Sequence, residues 1–148
     1  MEIITQSALE TQKLGEKIGR NLISQKIKSK IFCLYGDLGS GKTTFIQGVA
    51  KGLGIKKRVI SPTFMFIRMY QQEHRTKCIE QRFYHIDLYR INKVEEAKGL
   101  GLQEIFEDKE AIVAIEWVER IKEILPKKRI DIYFDYVSEN QRKINIIR

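Results

Sequence analysis

Leu14, Ile18 and Leu22 recur every four residues, and Ser7-x-x-Glu10 precedes them. That spacing draws one apolar stripe along a helix whose start carries a capping box. It predicts an amphipathic helix over 8–27, with Lys13, Lys17 and Arg20 turned to water. Ile31-Phe32-Cys33-Leu34-Tyr35 is different: it is continuously apolar and of strand length, as expected of a strand buried on both faces. Glycines follow at 36, 39 and 41, then a helical stretch that ends near Gly52 and Gly54. Val59-Ile60 reads as a short strand stopped by Ser61-Pro62. Residues 64–70 and 82–90 read as two strands of a hairpin over the polar stretch 71–81, and 94–102 as a short helix. Residues 111–115 form a second fully apolar strand ending at Glu116, and 130–137 and 143–147 alternate as a closing pair. Strands alternate with helices early and pair locally later. The expected class is therefore α/β, one domain over 1–148 with a mixed, mostly parallel sheet flanked by helices.

Composition narrows this without changing it. A 43% hydrophobic and 31% charged chain of 148 residues can bury a core and is not of the disordered type. No apolar run nears the roughly 18 residues of a membrane helix. The first residues lack a basic stretch followed by an apolar one, so the cytosol is the expected compartment. Cys33 and Cys78 are too few and too far apart for a disulfide scaffold or a CxxC pair, and Cys33 in its apolar run reads as a plain core residue. His74 and His85 do not make a zinc cluster. The formal charge is +8, from 27 basic and 19 acidic residues. Basic domains often meet polyanions. Here the basic residues are scattered, with short runs at 56–58 and 127–129, so a solvated surface and a binding patch both remain open. Acidic residues gather locally at Glu104, Glu107, Asp108, Glu110, Glu116 and Glu119.

The chemistry concentrates at Gly36-Asp37-Leu38-Gly39-Ser40-Gly41-Lys42-Thr43, which matches G-x-x-x-x-G-K-[ST]. Glycines permit the positive φ values that wrap backbone N–H groups around phosphate oxygens. The helix that starts at the loop adds the attraction of its N-terminus for anions. Lys42 places a point charge on the terminal phosphates, and the Thr43 hydroxyl serves as one ligand of Mg²⁺. A buried strand running into the loop and a helix running out of it are the context this motif requires.

Such a site also needs a carboxylate at the end of a neighbouring apolar strand. Glu116, closing Ala111 to Ile115, is that candidate; the plain alternative is an exposed strand-end glutamate. In the stretch 83–89, Tyr84, Ile86 and Leu88 face one way, and His85, Asp87 and Tyr89 the other. Asp87 either orients an attacking water or metal, or forms a salt bridge to Arg90 or a nearby lysine. His85 reads as a satisfied strand histidine ahead of a base. Ser61-Pro62-Thr63-Phe64 is either a switch whose hydroxyl senses the γ-phosphate or a turn before a strand. Asn92-Lys93-Val94-Glu95 imitates the guanine-reading N-K-x-D but carries Glu for Asp and precedes the carboxylate strand; it reads as a helix start.

Together, the phosphate loop with Thr44-Phe45, Ser61-Pro62-Thr63-Phe64, His85-Ile86-Asp87-Leu88-Tyr89-Arg90 and Ile115-Glu116-Trp117-Val118-Glu119-Arg120 resemble the TsaE family in order and spacing. Thr11-x-x-Leu14-Gly15 is similar to that family's N-terminal helix, and the resemblance spans about 7–120. It implies a P-loop NTPase fold. It further implies a weak ATPase, using ATP and Mg²⁺, required for threonylcarbamoyladenosine formation on tRNA beside the anticodon. The partners implied are the transferase TsaD and its paralogue TsaB, whose turnover ATP hydrolysis supports, with any tRNA contact made through that complex. Position by position, Asp37, Leu38, Gly39, Ser40, Gly41, Lys42, Thr43 and Thr44 cradle phosphates, and Thr43 and Glu116 hold magnesium. Lys42, Asp87 and Glu116 carry hydrolysis, Trp117 lies by the nucleotide, and Thr63 matches the switch threonine. The stretch 71–81 is longer than the family's hairpin and lacks its glycine turn, and the last 28 residues match loosely.

Two other readings stand beside this one. A small-molecule kinase on the same fold needs a lid rich in arginines, and the short stretch after Asp87 offers Lys93 and Lys98 instead. A non-catalytic nucleotide-gated adaptor or tRNA-binding module suits the basic balance but leaves Asp87 and Glu116 without a purpose.

Overall fold

Ser7 caps the first helix as its spacing predicts: the Glu10 amide donates to Ser7 Oγ at 3.2 Å. The Glu10 carboxylate closes the box one residue early, accepting from the Gln6 amide at 2.8 Å. The computed structural model describes residues 1–27, 29–62, 65–71 and 81–148. Its elements are β1 (Glu2–Thr5), α1 (Ala8–Ile23), β2 (Ile31–Tyr35), α2 (Lys42–Gly52), β3 (Ile67–Gln71), β4 (Arg82–Asp87), α3 (Val94–Lys98), α4 (Leu102–Glu107), β5 (Ala111–Glu116), a 3-10 helix (Val118–Ile124), β6 (Ile130–Tyr136) and β7 (Arg142–Ile147).

The strands form one seven-stranded sheet in the order β1-β7-β6-β2-β5-β4-β3. The centre is parallel, through β6–β2, β2–β5 and β5–β4, and antiparallel pairs close both edges. The apolar runs of β2 and β5 lie side by side in the middle, which is why neither alternates: each is covered on both faces. Phe32, Leu34, Ile112 and Ala114 pack with Ile18, Phe45 and Val49 of α1 and α2. Cys33, Val113 and Ile115 pack with Ala97, Leu102 and Ile121 of the opposite layer. Burial pushes the Cys33 thiol up to about 12, in keeping with a core role.

α1 and α2 meet backbone to backbone. A methyl group at Gly15, Gly19, Gly48 or Gly52 would overlap a main-chain oxygen of the opposite helix: Phe45, Val49, Gln12 and Glu16 respectively. This contact fixes α2, and with it the loop from which α2 starts.

Several expectations need correction. α1 ends at Ile23 rather than near residue 27, because Gln25 turns left-handed at φ 58° and the chain folds back. Val59-Ile60 is not a strand: Gln47 donates to the Val59 carbonyl at 3.0 Å and the Ile60 amide donates to the Tyr70 hydroxyl at 3.3 Å, so side chains take the bonds a ladder would use. β3 starts at Ile67 because Phe66 is left-handed at φ 58°. β4 stops at Asp87, where the side chain accepts from the Tyr89 amide at 3.0 Å and turns the chain. The helix expected at 94–102 breaks at Gly101, φ 74°, into α3 and α4. The hydrophobic pattern predicts neither β1 nor the 3-10 helix. The expected hairpin tip falls largely on residues 72–80, outside the described residues, as does Phe64. Among the described residues, no helix is long and apolar enough to cross a membrane.

Candidate functional site

β2 runs from the sheet centre into Gly36, and the chain wraps through Gly36, Gly39 and Gly41 at φ 142°, 77° and 97° before α2 begins at Lys42. Among the described residues, no side chain caps α2. Its first N–H groups therefore stay available to a ligand, as a phosphate loop requires. β5 is parallel to β2 with Glu116 beside Leu34, and β4 is parallel to β5 with Asp87 beside Glu116. Both carboxylates thus stand at the carboxyl ends of central strands, where open α/β sheets bind ligands.

The Lys42 ammonium folds back over the loop, donating to the carbonyls of Gly36 at 2.5 Å and Asp37 at 2.8 Å and to Ser40 Oγ at 3.4 Å. It also lies 4.4 Å from the centre of the Trp117 ring. Burial holds its pKa below the ordinary lysine range, while Glu116, Glu119, Asp87 and Asp37 pull the other way. Trp117 is placed by a left-handed backbone, φ 60°, and its ring leans on Tyr89 at 4.9 Å.

Thr43 Oγ1 donates to Glu116 Oε1 at 2.9 Å, and His85 Nε2 lies 2.8 Å from the same oxygen. Glu116 is 3% exposed and His85 is fully buried. The exposed strand-end glutamate is therefore excluded for Glu116. Asp87 Oδ2 accepts from the Ser61 hydroxyl at 2.7 Å, tying the 61–62 turn to the site. Thr63 lies outside the described residues.

These groups line a cavity of about 480 Å³ that takes in Leu38 through Thr44, Ser61, Asp87, Tyr89, Glu116 and Trp117. Asp37 contributes through its carbonyl on Lys42. Sequence reasoning missed the far wall: Ala8, Thr11, Glu139, Asn140 and Arg142. Arg142 donates through Nη2 to the Gly39 carbonyl at 3.1 Å and through Nη1 to Ser138 at 2.7 Å, and stacks over Tyr136. No local signal marks it; the β6–β7 turn is brought over the loop by the sheet order alone.

Among the described residues, no three His, Cys, Asp or Glu side chains converge as a metal cage. A hydroxyl and a carboxylate already within hydrogen-bond reach are the hard oxygen pair that Mg²⁺ takes when phosphates and water supply its other ligands. The residues present fit magnesium on that ground.

A glycine-rich loop ending in Lys-Thr, set between the central strand of the sheet and the helix packed upon it, defines a P-loop fold. The crystal structure of Bacillus subtilis YdiB is similar, with a TM-score of 0.72 and 29% identity over 97% of this chain and 82% of that one. The tRNA threonylcarbamoyladenosine biosynthesis protein TsaE of Borreliella burgdorferi is 45% identical, over 68% of this chain and 69% of the relative. The protein of the same description from Aquifex aeolicus is 35% identical over 99% of this chain and 96% of its own. The family model for the threonylcarbamoyl adenosine biosynthesis protein TsaE matches residues 5–144, and the chain belongs to that family.

Proposed function

We propose that this chain is the ATPase subunit of tRNA threonylcarbamoyladenosine modification, working in the cytoplasm. It binds ATP with Mg²⁺ and hydrolyses it to support turnover of a TsaB–TsaD transferase complex, reaching tRNA through that complex. The observation that carries this reading is the Thr43–Glu116 pair, set beside the phosphate loop with Asp87 on the adjacent strand.

The loop amides and Lys42 hold the phosphates. Lys42 is drawn over the loop, against the Gly36 and Asp37 carbonyls, with its charge on the phosphate side. Thr43 and Glu116 would hold the magnesium, which would neutralise charge developing on the phosphates. Asp87 is held in place by Ser61 and the Tyr89 amide and orients the attacking water. Trp117 and Tyr89 wall the phosphate end against solvent, and the space by Ala8, Thr11 and Asn140 receives the base and sugar.

Phosphate release from ATP with no acceptor present tests the reading directly. Release that rises when TsaB–TsaD is added supports it. ATP consumption that needs a small-molecule acceptor would replace it with a kinase.

A further inference from the structure

We infer that His85 is a positioning residue for the Glu116 carboxylate, holding it at Thr43 through an Nε2–H hydrogen bond. The inference rests on the ATPase reading above and adds to it a residue that touches neither nucleotide nor metal.

His85 sits in the middle of β4, paired in register with Arg68 of β3 and Ala114 of β5. It is 0% exposed. Its Nε2 lies 2.8 Å from Glu116 Oε1, and among the described residues its Nδ1 has no partner. A carboxylate only accepts hydrogen bonds, so the proton between them belongs to Nε2. A proton on Nδ1 instead would bury an unpaired donor and set a lone pair against the carboxylate, the costlier arrangement. The geometry therefore selects the Nε2–H tautomer.

Thr43 donates to that same Oε1 at 2.9 Å. A hydroxyl has one hydrogen and two acceptor lone pairs, so Thr43 can keep this bond and still offer oxygen to a cation. Glu116 has a long side chain with several rotamers, and two donors on one oxygen fix its direction. Thr43 sits in the first turn of α2 and lines the cavity, where its hydroxyl is a candidate metal ligand. His85 is held within β4 and is not part of the cavity lining, so its contribution is to the direction of the carboxylate. Outer partners of this kind are worth about 10–100-fold in metal affinity elsewhere.

The test compares H85Q, whose amide can present N–H near the position of Nε2, with H85M, which fills similar space and donates nothing. Binding of a fluorescent ATP analogue is titrated with Mg²⁺ in each, and the His85 ring nitrogens are assigned by long-range ¹H–¹⁵N NMR in the unliganded wild type. Expected are an Nε2–H ring signature and a Mg²⁺ requirement raised about 10–100-fold in H85M. H85Q should stay within a few-fold of wild type, and Mg²⁺-free analogue affinity should be little changed in both. A proton on Nδ1, an unchanged Mg²⁺ requirement in H85M, or equal impairment of H85Q and H85M overturns the inference. The ring assignment decides the matter if H85M does not fold. A wild-type protein that binds the analogue with no Mg²⁺ dependence overturns the ATPase reading itself, an outcome distinct from failure of the variants alone.

Discussion

Lys42 is drawn back over its own loop, satisfying the Gly36 and Asp37 carbonyls from a position 4% exposed. Lys42→Ala should retain the fold, lose most ATP affinity and abolish hydrolysis, as read by calorimetric titration and phosphate release; wild-type turnover by a clean, folded preparation would refute the loop's role. Asp87→Ala should spare ATP binding and raise the hydrolysis barrier by about 2–4 kcal/mol if the carboxylate aligns water. Equal losses in binding and turnover would make it a structural anchor for Ser61 and Tyr89 instead. Glu116→Ala should raise the Mg²⁺ concentration needed for turnover while metal-free nucleotide affinity stays near wild type. If the Mg²⁺ dependence does not move, the metal role passes to Asp87. The loop, Asp87 and Glu116 were legible because each obeys a local rule: glycine spacing, strand alternation, an acid closing an apolar run. The tie of His85 to Glu116 was not. Alternation put His85 on the face of Asp87, but its partner is 31 residues away on β5 and became visible only with the strand order.

At the scale of elements, the α1–α2 contact carries the most specific demand. Gly48→Ala drives a methyl group into the Gln12 carbonyl, and backbone cannot step aside as a side chain can. The expected cost is about 1–3 kcal/mol, the range for overpacking, read as a lowered midpoint in chemical denaturation; an unchanged midpoint would show that the helices separate freely. A second tie is Arg82 at the start of β4, whose guanidinium grips Asp108 after α4 at 2.9 and 3.0 Å. That hydrogen-bonded partner holds the Asp108 carboxyl below its ordinary range. A depressed carboxyl stabilises the fold above its unfolded pKa and ceases to do so as pH falls through the folded value. The stability gap between wild type and Asp108→Asn should therefore be widest near neutral pH and close below about pH 4; a gap constant across that range would count against the pairing. Apolar periodicity revealed α1, β2 and β5 from the sequence, since burial dictated their residues directly. It failed where tertiary partners decide. β1 has four residues and exists through its antiparallel pairing with β7, while Val59-Ile60 has strand-like residues whose backbone is claimed by Gln47 and Tyr70.

At the scale of the molecule, the charges that line the cavity among the described residues bear on whether the proposed ATPase works alone or with a partner. Among the described residues, Arg142 is the arginine lining the cavity, and its Nη groups are taken by the carbonyls of Gly39 and the 138–141 turn. It braces the wall against the phosphate loop at Gly39. A P-loop site without an arginine on the γ-phosphate hydrolyses slowly, and one supplied in trans raises the rate by about 10³–10⁵. Leu38 and Tyr89 stand at the cavity rim 76% and 50% exposed, apolar surface that a docking partner would cover. A partner docked there would close over the nucleotide and feel its state. Because binding couplings are reciprocal, a complex that prefers the ATP-bound chain must also tighten its hold on ATP. The chain should therefore be nearly idle alone and both bind and hydrolyse ATP better with TsaB–TsaD. The two measurements are ATP affinity and phosphate release, each with and without the complex, repeated for Leu38→Ser and Thr63→Ala. Leu38→Ser should weaken the stimulation by more than it lowers hydrolysis by the chain alone. Thr63→Ala should blunt the dependence of docking on nucleotide, and an unchanged response would remove only that switch. Identical affinity and turnover in the presence and absence of the complex would remove the subunit reading and leave a stand-alone nucleotide enzyme.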